Sequence, residues 1–185
     1  MSKTTVKAST GKIISVLVVV DTEQLLAAKL PVSIDPKYPT NINDASLLKK
    51  TFFMVAGNAR GITGQGTNDL EIKANAGDII NFVGTTVEEN GDDAVIIYNV
   101  TGGTSVLNDF ISACVNRPKA VQPSAGGNGL PAVNYSRNFM TLESKVKAPG
   151  TANLLVNFAL YRLSPNGQEQ VLYGYYKYDP KIIVG

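Results

Sequence analysis

The chain has 185 residues, 44% of them hydrophobic and 17% charged, a length that suits one domain able to bury a proper core without staples. Seventeen basic residues, scattered along the chain, against 15 acidic ones leave a net charge of +2, so a phosphate-tracking groove has little to be built from and nucleic acid is not the expected partner. There is no histidine and a single cysteine, Cys114, which removes Ser-His-Asp and Cys-His catalysis, imidazole bases, blue-copper centres, ordinary zinc sites and any internal disulfide.

Residues 1–11 read as a flexible N-terminal segment of a single domain spanning 1–185. Residues 13–20, IISVLVVV, form an alternation-free run typical of a strand covered on both faces. Lys3, Lys7 and Lys12 precede it, but Asp21 and Glu23 follow at once with no clear small-residue cleavage site, so a buried strand is expected rather than a signal sequence. The run is too short to span a bilayer, and no membrane insertion is expected. Residues 22–30 place Leu25, Leu26 and Leu30 among helix-tolerant neighbours and predict a short helix ended by Pro31. Residues 31–43, with Pro31, Pro36 and Pro39, read as a long surface loop, and 50–57, KTFFMVAG, as a strand.

From Gly64 to Val100 the pattern is densest. Leu70, Ile72 and Ala74 alternate with Glu71, Lys73 and Asn75 as in a strand with one wet face. Ala76-Gly77-Asp78 breaks the alternation as a turn. Residues 79–87 resume with apolar groups on both faces, predicting a central strand. Asn90-Gly91 suits a type I′ hairpin turn, and 94–100, AVIIYNV, returns, so two successive hairpins predict an antiparallel meander.

Residues 107–115 are compatible with a strand or a helical turn. Residues 117–134 hold Pro118, Pro123, Pro131, Gly126, Gly127 and Gly129 and read as a second long loop. Residues 139–147 alternate, and Pro149-Gly150 predicts a hairpin joining them to 151–163. After Pro165-Asn166-Gly167 a last strand, 171–178, sets Tyr173 and Tyr175 on one face and Tyr176 and Tyr178 on the other. Were it an edge strand, it would favour self-association. The fold class predicted is all-β: an antiparallel two-sheet β-sandwich with long Pro/Gly/Asn-rich loops and at most one short helix.

GQGTNDLEIKANAGD, EENGDDAVIIY and the closing NFALYRLSPNGQEQVLYGYYKYDP carry a resemblance to the bacterial inclusion-body protein family typified by PixA and AidA. SVLVVVDTEQLLA and AVQPSAGGNGLPA extend it over residues 14–182. The resemblance implies a small cytoplasmic bacterial protein found in inclusion bodies, often under population-density (quorum-sensing) control, with a β-sandwich fold and no established catalysis. The lone thiol independently fits a reducing compartment such as the cytoplasm.

Candidate binding groups lie on two loops. Asn90, Asp92 and Asp93, with Glu88 and Glu89, offer hard oxygen ligands within six residues, suited to calcium or to sugar hydroxyls, and Asn68 and Asp69 could join them. The same carboxylates leave glycoside hydrolysis open, although a solvated turn explains them more simply. Asn128 and Tyr135, with Asn116, Arg117, Gln122 and Asn134, combine amides, a guanidinium and an aromatic face suited to carbohydrate, against which the absence of tryptophan weighs. Two functions follow. One is a non-catalytic, lectin-like carbohydrate-binding protein; the other is an assembly or storage protein forming inclusions without a specific small ligand. Homo-oligomers are expected in either case.

Overall fold

Apolar alternation resolves into two facing sheets in the computed structural model, which describes residues 11–185. Apart from Gly11, the N-terminal segment expected to be flexible lies outside the described residues. In chain order the elements are β1 (Ile13–Val20), α1 (Thr22–Ala27), β2 (Thr40–Asn41), α2 (Ala45–Thr51), β3 (Phe52–Gly57), β4 (Ile62–Thr63) and β5 (Leu70–Ile72). They continue as β6 (Ile79–Thr86), β7 (Ala94–Gly102), β8 (Ile111–Gln122), β9 (Val133–Lys145), β10 (Gly150–Leu163), β11 (Gln170–Tyr178) and β12 (Lys181–Val184).

The first sheet has the order β3-β1-β6-β9-β8. In the second, β10 is the spine, with β7 along one side. β11 and β12 follow each other along the other side, interrupted at Asp179 and Pro180 and in one register up to a bulge between Leu160 and Tyr161. Inward side chains of both sheets, among them Val16, Val18, Met54, Ile80 and Phe82 from the first and Ile72, Leu154, Val156 and Ile182 from the second, form one buried cluster. Each such aliphatic or aromatic group contributes about 1.5–3 kcal/mol on burial. Phe52 marks the seam between the sheets: its ring stacks on Tyr178 at 4.0 Å and meets Phe158 edge-on at 5.7 Å.

The sandwich is as expected, but its pairing is mixed rather than antiparallel. β1 runs parallel to β6, β12 to β5, and β11 to β2. The expected meander does not form, because β5 pairs with β4 and β12, β6 with β1 and β9, and β7 with β10. Pro149-Gly150 likewise carries the chain from the first sheet to the second instead of closing a hairpin. In each case both flanking strands have a core-facing row, and crossing between sheets lets both rows meet in the middle. Among the described residues there are two short helices, not one. Asp44 caps α2 by accepting from the Leu47 N–H at 2.8 Å, and Lys49 and Lys50 occupy its last turn, where cations are favoured.

The second long loop shrinks to residues 123–132. Its flanks become β8 and β9, paired from Ile111 opposite Glu143 to Gln122 opposite Val133. β9 also pairs with β6, but only through Leu142–Lys145, so beyond that point β8 and β9 project as a two-stranded ribbon. Pro118, which cannot donate to a ladder, sits at the bulge in the outer strand. β11 is not a free edge: Ser33 bridges Tyr175, β2 pairs with Tyr176 and Lys177, and the Ile42 N–H donates to the Lys177 carbonyl. Of its tyrosines, Tyr176 and Tyr178 face the core. β1 was expected to be covered on both faces. Only Ile14, Val16, Val18 and Val20 are buried, while Ile13 and Leu17 face solvent.

The corner between β5 and β6 is held by one fully buried carboxylate. Asp78 accepts from the backbone N–H groups of Lys12 and Asn75, each at 2.8 Å, and from the Arg60 guanidinium at 3.3 Å. Burial pushes its pKa up, but the Asn75 and Lys12 N–H groups and the Arg60 charge outweigh it, and the net effect is a pKa below the ordinary 3.8. A depressed folded pKa stabilises fully above the unfolded value and loses that contribution as pH falls through the folded one. Asp78→Ala should lower unfolding free energy by about 2–3 kcal/mol at neutral pH. Asp78→Asn should flatten the acid limb of stability measured by urea titration from about pH 5 downward. The Tyr178 hydroxyl, by contrast, is buried without a partner. Tyr178→Phe is expected to leave the thermal midpoint unchanged or raise it.

Candidate functional site

Residues 64–69, GQGTND, connect β4 to β5 and also reach the edge of the first sheet. The Met54 N–H donates to the Thr67 carbonyl, and the Gly66 N–H donates to the Met54 carbonyl, both at 2.8 Å. The Gln65 side-chain amide then imitates a strand: its oxygen accepts from the Ala56 N–H at 2.8 Å and its nitrogen donates to the Ala56 carbonyl at 2.7 Å. Gly64 has a φ of 77°, and a Cβ there would lie 2.7 Å from the Asp69 carbonyl oxygen, so the turn needs glycine. The Thr67 hydroxyl closes the loop by donating to the carbonyls of Gly64 and Asp69.

This loop walls a shallow depression of about 270 Å³, lined by Thr63, Thr67, Asp69, Glu71 and Lys181 together with Ile183 and the Leu70 backbone, the Leu70 side chain being turned into the core. It lies just below the usual range of ligand pockets, about 300–1,000 Å³. Thr63 and Glu71 are opposite each other across β4 and β5, and the Thr63 hydroxyl donates to the Glu71 carboxylate at 3.1 Å. Lys181 arrives on β12, which runs parallel to β5, and its backbone N–H donates to Asp69 Oδ1 at 3.0 Å. Asp69, Glu71 and Lys181 thus line one open concavity, bringing carboxylate acceptors and an ammonium-bearing residue together beside Ile183. Asp69 also acts on the nearby Tyr178 phenol. Burial first, and then the negative charge of Asp69, push that pKa far above its ordinary value and keep the phenol neutral.

The acidic tip is differently built. Glu89 and Asn90 carry the two positive φ values, 55° and 62°, and the Gly91 N–H donates to the Glu88 carbonyl at 2.9 Å, so the type I′ turn is centred on Glu89-Asn90, one residue earlier than the Asn-Gly pattern suggests. Asn90 Oδ1 accepts from the N–H groups of Thr86 at 3.0 Å and Val95 at 3.1 Å. Asp93 pairs with Arg162 at 3.3 Å. The carbonyls of Asn90, Gly91 and Asp92 all face the Gln170 side-chain amide. The Asn90 amide oxygen, the Asp93 carboxylate and the carbonyls of Asn90, Gly91 and Asp92 are therefore engaged inside the turn, and among the described residues no three acidic or cysteine side chains gather as a metal cage. The carboxylates of Glu88, Glu89 and Asp92 lie outside this network, which takes up only that of Asp93.

Asn128 and Tyr135 lie elsewhere, on the ribbon. Asn128 Oδ1 accepts from the Leu130 N–H at 3.1 Å, shaping the loop between β8 and β9, while Tyr135 stands on β9 opposite Ala120. No side-chain hydrogen bond joins these two to the acidic tip. Thr63, Glu71 and Lys181 were not singled out from sequence, since the depression needs the pairing of β5 with strands on both sides; only Asn68 and Asp69 were legible as candidates. Among the described residues no helix is long and apolar enough to cross a membrane.

Comparison with known proteins gives one consistent relationship. The family described as "PixA: Inclusion body protein" matches residues 12–184. A crystal structure of an inclusion body protein (PixA) from Burkholderia cenocepacia J2315 is similar at 27% identity, covering 95% of this chain and 97% of that one with a TM-score of 0.77. A cysteine protease inhibitor, EhICP2, from Entamoeba histolytica aligns at 14% identity over 62% of this chain and 84% of that one with a TM-score of only 0.25. No curated protein matches the chain.

The tip geometry separates two neighbouring residues. Asn90→Ala removes the acceptor for two backbone N–H groups and a residue type that tolerates the left-handed conformation, and should lower stability by about 2 kcal/mol. Asp92→Ala should stay within about 0.5 kcal/mol of the parent, both being read by chemical unfolding.

Proposed function

Because the chain belongs to the PixA inclusion body protein family, we propose that it is a non-catalytic protein that accumulates in inclusion bodies and binds carbohydrate at the depression walled by residues 64–69. The observation that carries this reading is the juxtaposition of Asp69, Glu71 and Lys181 around an open, partly apolar concavity. A carboxylate accepts from two adjacent sugar hydroxyls, an ammonium donates to others, and Ile183 offers an apolar contact to C–H groups of a ring. Shallow, solvent-open geometry suits a ligand that is itself heavily hydroxylated. The absence of histidine supports a binding rather than a turnover role.

This depression is preferred to the acidic tip as the binding locus because Asn90 and Asp93 already have intramolecular partners, and to the ribbon because Asn128 Oδ1 does too. Asp92 and Tyr135 would act at most as outlying contacts. On a glycan array the full chain should give a defined subset of signals that is unchanged by chelator. Asp69→Ala should reduce those signals at least tenfold and Asp92→Ala should not. A blank array, or signals indifferent to Asp69→Ala, would reject the site.

A further inference from the structure

The ribbon of β8 and β9 leaves the body of the sandwich bare on both faces: beyond the pair Ser112 and Leu142 none of its residues is buried. The 13-residue β9 carries Val133 about 40 Å along the strand from Lys145. Lys145 is opposite Ile79, one strand over from Ile13, so the ten residues before Gly11, about 36 Å at full stretch, fall short of the tip. A two-stranded element of this kind is marginal unless something supports it.

Its side chains are graded along that length. Residues 120–136 carry no charge, and at the tip Val121 (69% exposed), Leu130 (67%) and Val133 (42%) stand in water. Val121 is opposite Asn134 and Val133 is opposite Gln122, so the two valines point from opposite faces of the ribbon. A flat partner covers one of them; a medium that surrounds the tip covers both. Within the tip the N–H groups of Ser124, Gly129 and Leu130 already have acceptors in the loop, which lowers the cost of leaving water.

About 7–13 Å behind the tip come Lys119, Arg117 and Arg137, all exposed. Basic residues scattered in sequence are gathered here, and from Phe110 to Leu142 there is no carboxylate. Arg117 and Arg137 are directly opposite each other, an unfavourable arrangement until an anion neutralises it, and among the described residues no carboxylate pairs with any of the three. Tyr135 stands between the tip and the arginines, a ring with a polar end of the type enriched at membrane boundaries.

We propose that the ribbon is a membrane-docking arm, whose tip enters the headgroup boundary of an anionic lipid bilayer while its cations meet the lipid phosphates. The dimensions agree. Interfacial elements bury their apolar side about 5–10 Å deep, which brings groups about 7–13 Å behind the tip to the charged surface. This is adsorption, without any segment spanning the bilayer. The ribbon of a second copy is a poor occupant, because it sets three cations against three. Nucleic acid answers the cations but not the apolar tip. The arm belongs to the first sheet and the carbohydrate depression to the second, so the two readings stand or fall separately.

Flotation of the full chain with lipid vesicles at low ionic strength tests it, since protein that merely aggregates does not float. With equimolar phosphatidylcholine and phosphatidylglycerol the chain should rise with the lipid. With phosphatidylcholine alone, or after Arg117→Ala, Lys119→Ala and Arg137→Ala together, binding should weaken about 100-fold, about fivefold for each cation. Val121→Ser, Leu130→Ser and Val133→Ser together should weaken it at least about tenfold with unchanged far-UV circular dichroism. The chain has no tryptophan, so Leu130→Trp supplies a single reporter whose emission should move to the blue when the mixed vesicles are added. A chain that stays at the bottom of the gradient with the anionic vesicles would overturn the proposal, as would an unshifted Leu130→Trp emission. Flotation that the three tip substitutions leave unchanged would also overturn it, being the behaviour of a surface that binds any polyanion, nucleic acid included.

Discussion

The architecture turns on a single buried carboxylate. Asp78 sits where β5 has ended and β6 begins, and its two oxygens collect the Asn75 N–H at that corner, the Lys12 N–H just before β1, and the Arg60 guanidinium from the segment before β4. Its own carbonyl accepts from the Val146 N–H just after β9. Four chain segments, distant in sequence, are thus drawn to one point with no donor left unanswered. An ionised group fully removed from water is tolerated only because those donors replace its hydration.

That corner explains why β5 and β6 lie in different sheets. Asp78 aligns the start of β6 with the start of β1, which sets the parallel register Ile13 opposite Ile79 and prevents β5 from folding back on β6. β5 is left to pair with β12, and the chain must close through the second sheet. The seam where the sheets meet is then filled by Phe52, Tyr178 and Phe158, large rings whose stacked and edge-on contacts fix the separation of the layers. Tyr178 holds its place although its hydroxyl has no partner, which indicates that ring packing there outweighs the loss of one hydrogen bond.

The two surfaces of interest inherit these constraints differently. Residues 64–69 must span from the edge of β3 to β5, and the Gln65 amide pairing with Ala56 leaves Thr67 and Asp69 to wall a depression on the far side. A structural splice and a polar concavity are made by the same six residues. The outer face of the first sheet, in contrast, is a consequence of composition: valine, isoleucine and phenylalanine on both sides of β1 and β3 give good strand formers, and only one side is buried by the described residues.

Much of this was legible in the residues. The alternation at Leu70 and Ile72, the Tyr176 and Tyr178 face, the short helix from Thr22, which ends at Ala27 ahead of the expected stop at Pro31, and the turn at residues 165–167 are local signals, because a strand face or a helix start is set by neighbours within a few positions. α2 was local too and was missed, its Asp44 cap and Ala/Leu/Lys run being adjacent to the apolar start of β3. Partner choice was not local. That β1 lies beside β6, that β8 and β9 extend as a ribbon, that Asn90 is a bracket for its own turn and that Lys181 reaches Asp69 all depend on contacts between residues far apart in sequence, whose energies add only once the sheets are assembled. The sequence by itself determined a β-rich chain without imidazole chemistry and with a core of the right size; only the tertiary structure decided which polar groups face one another, because hydrogen-bond satisfaction across sheets is a property of the packed whole and not of any segment.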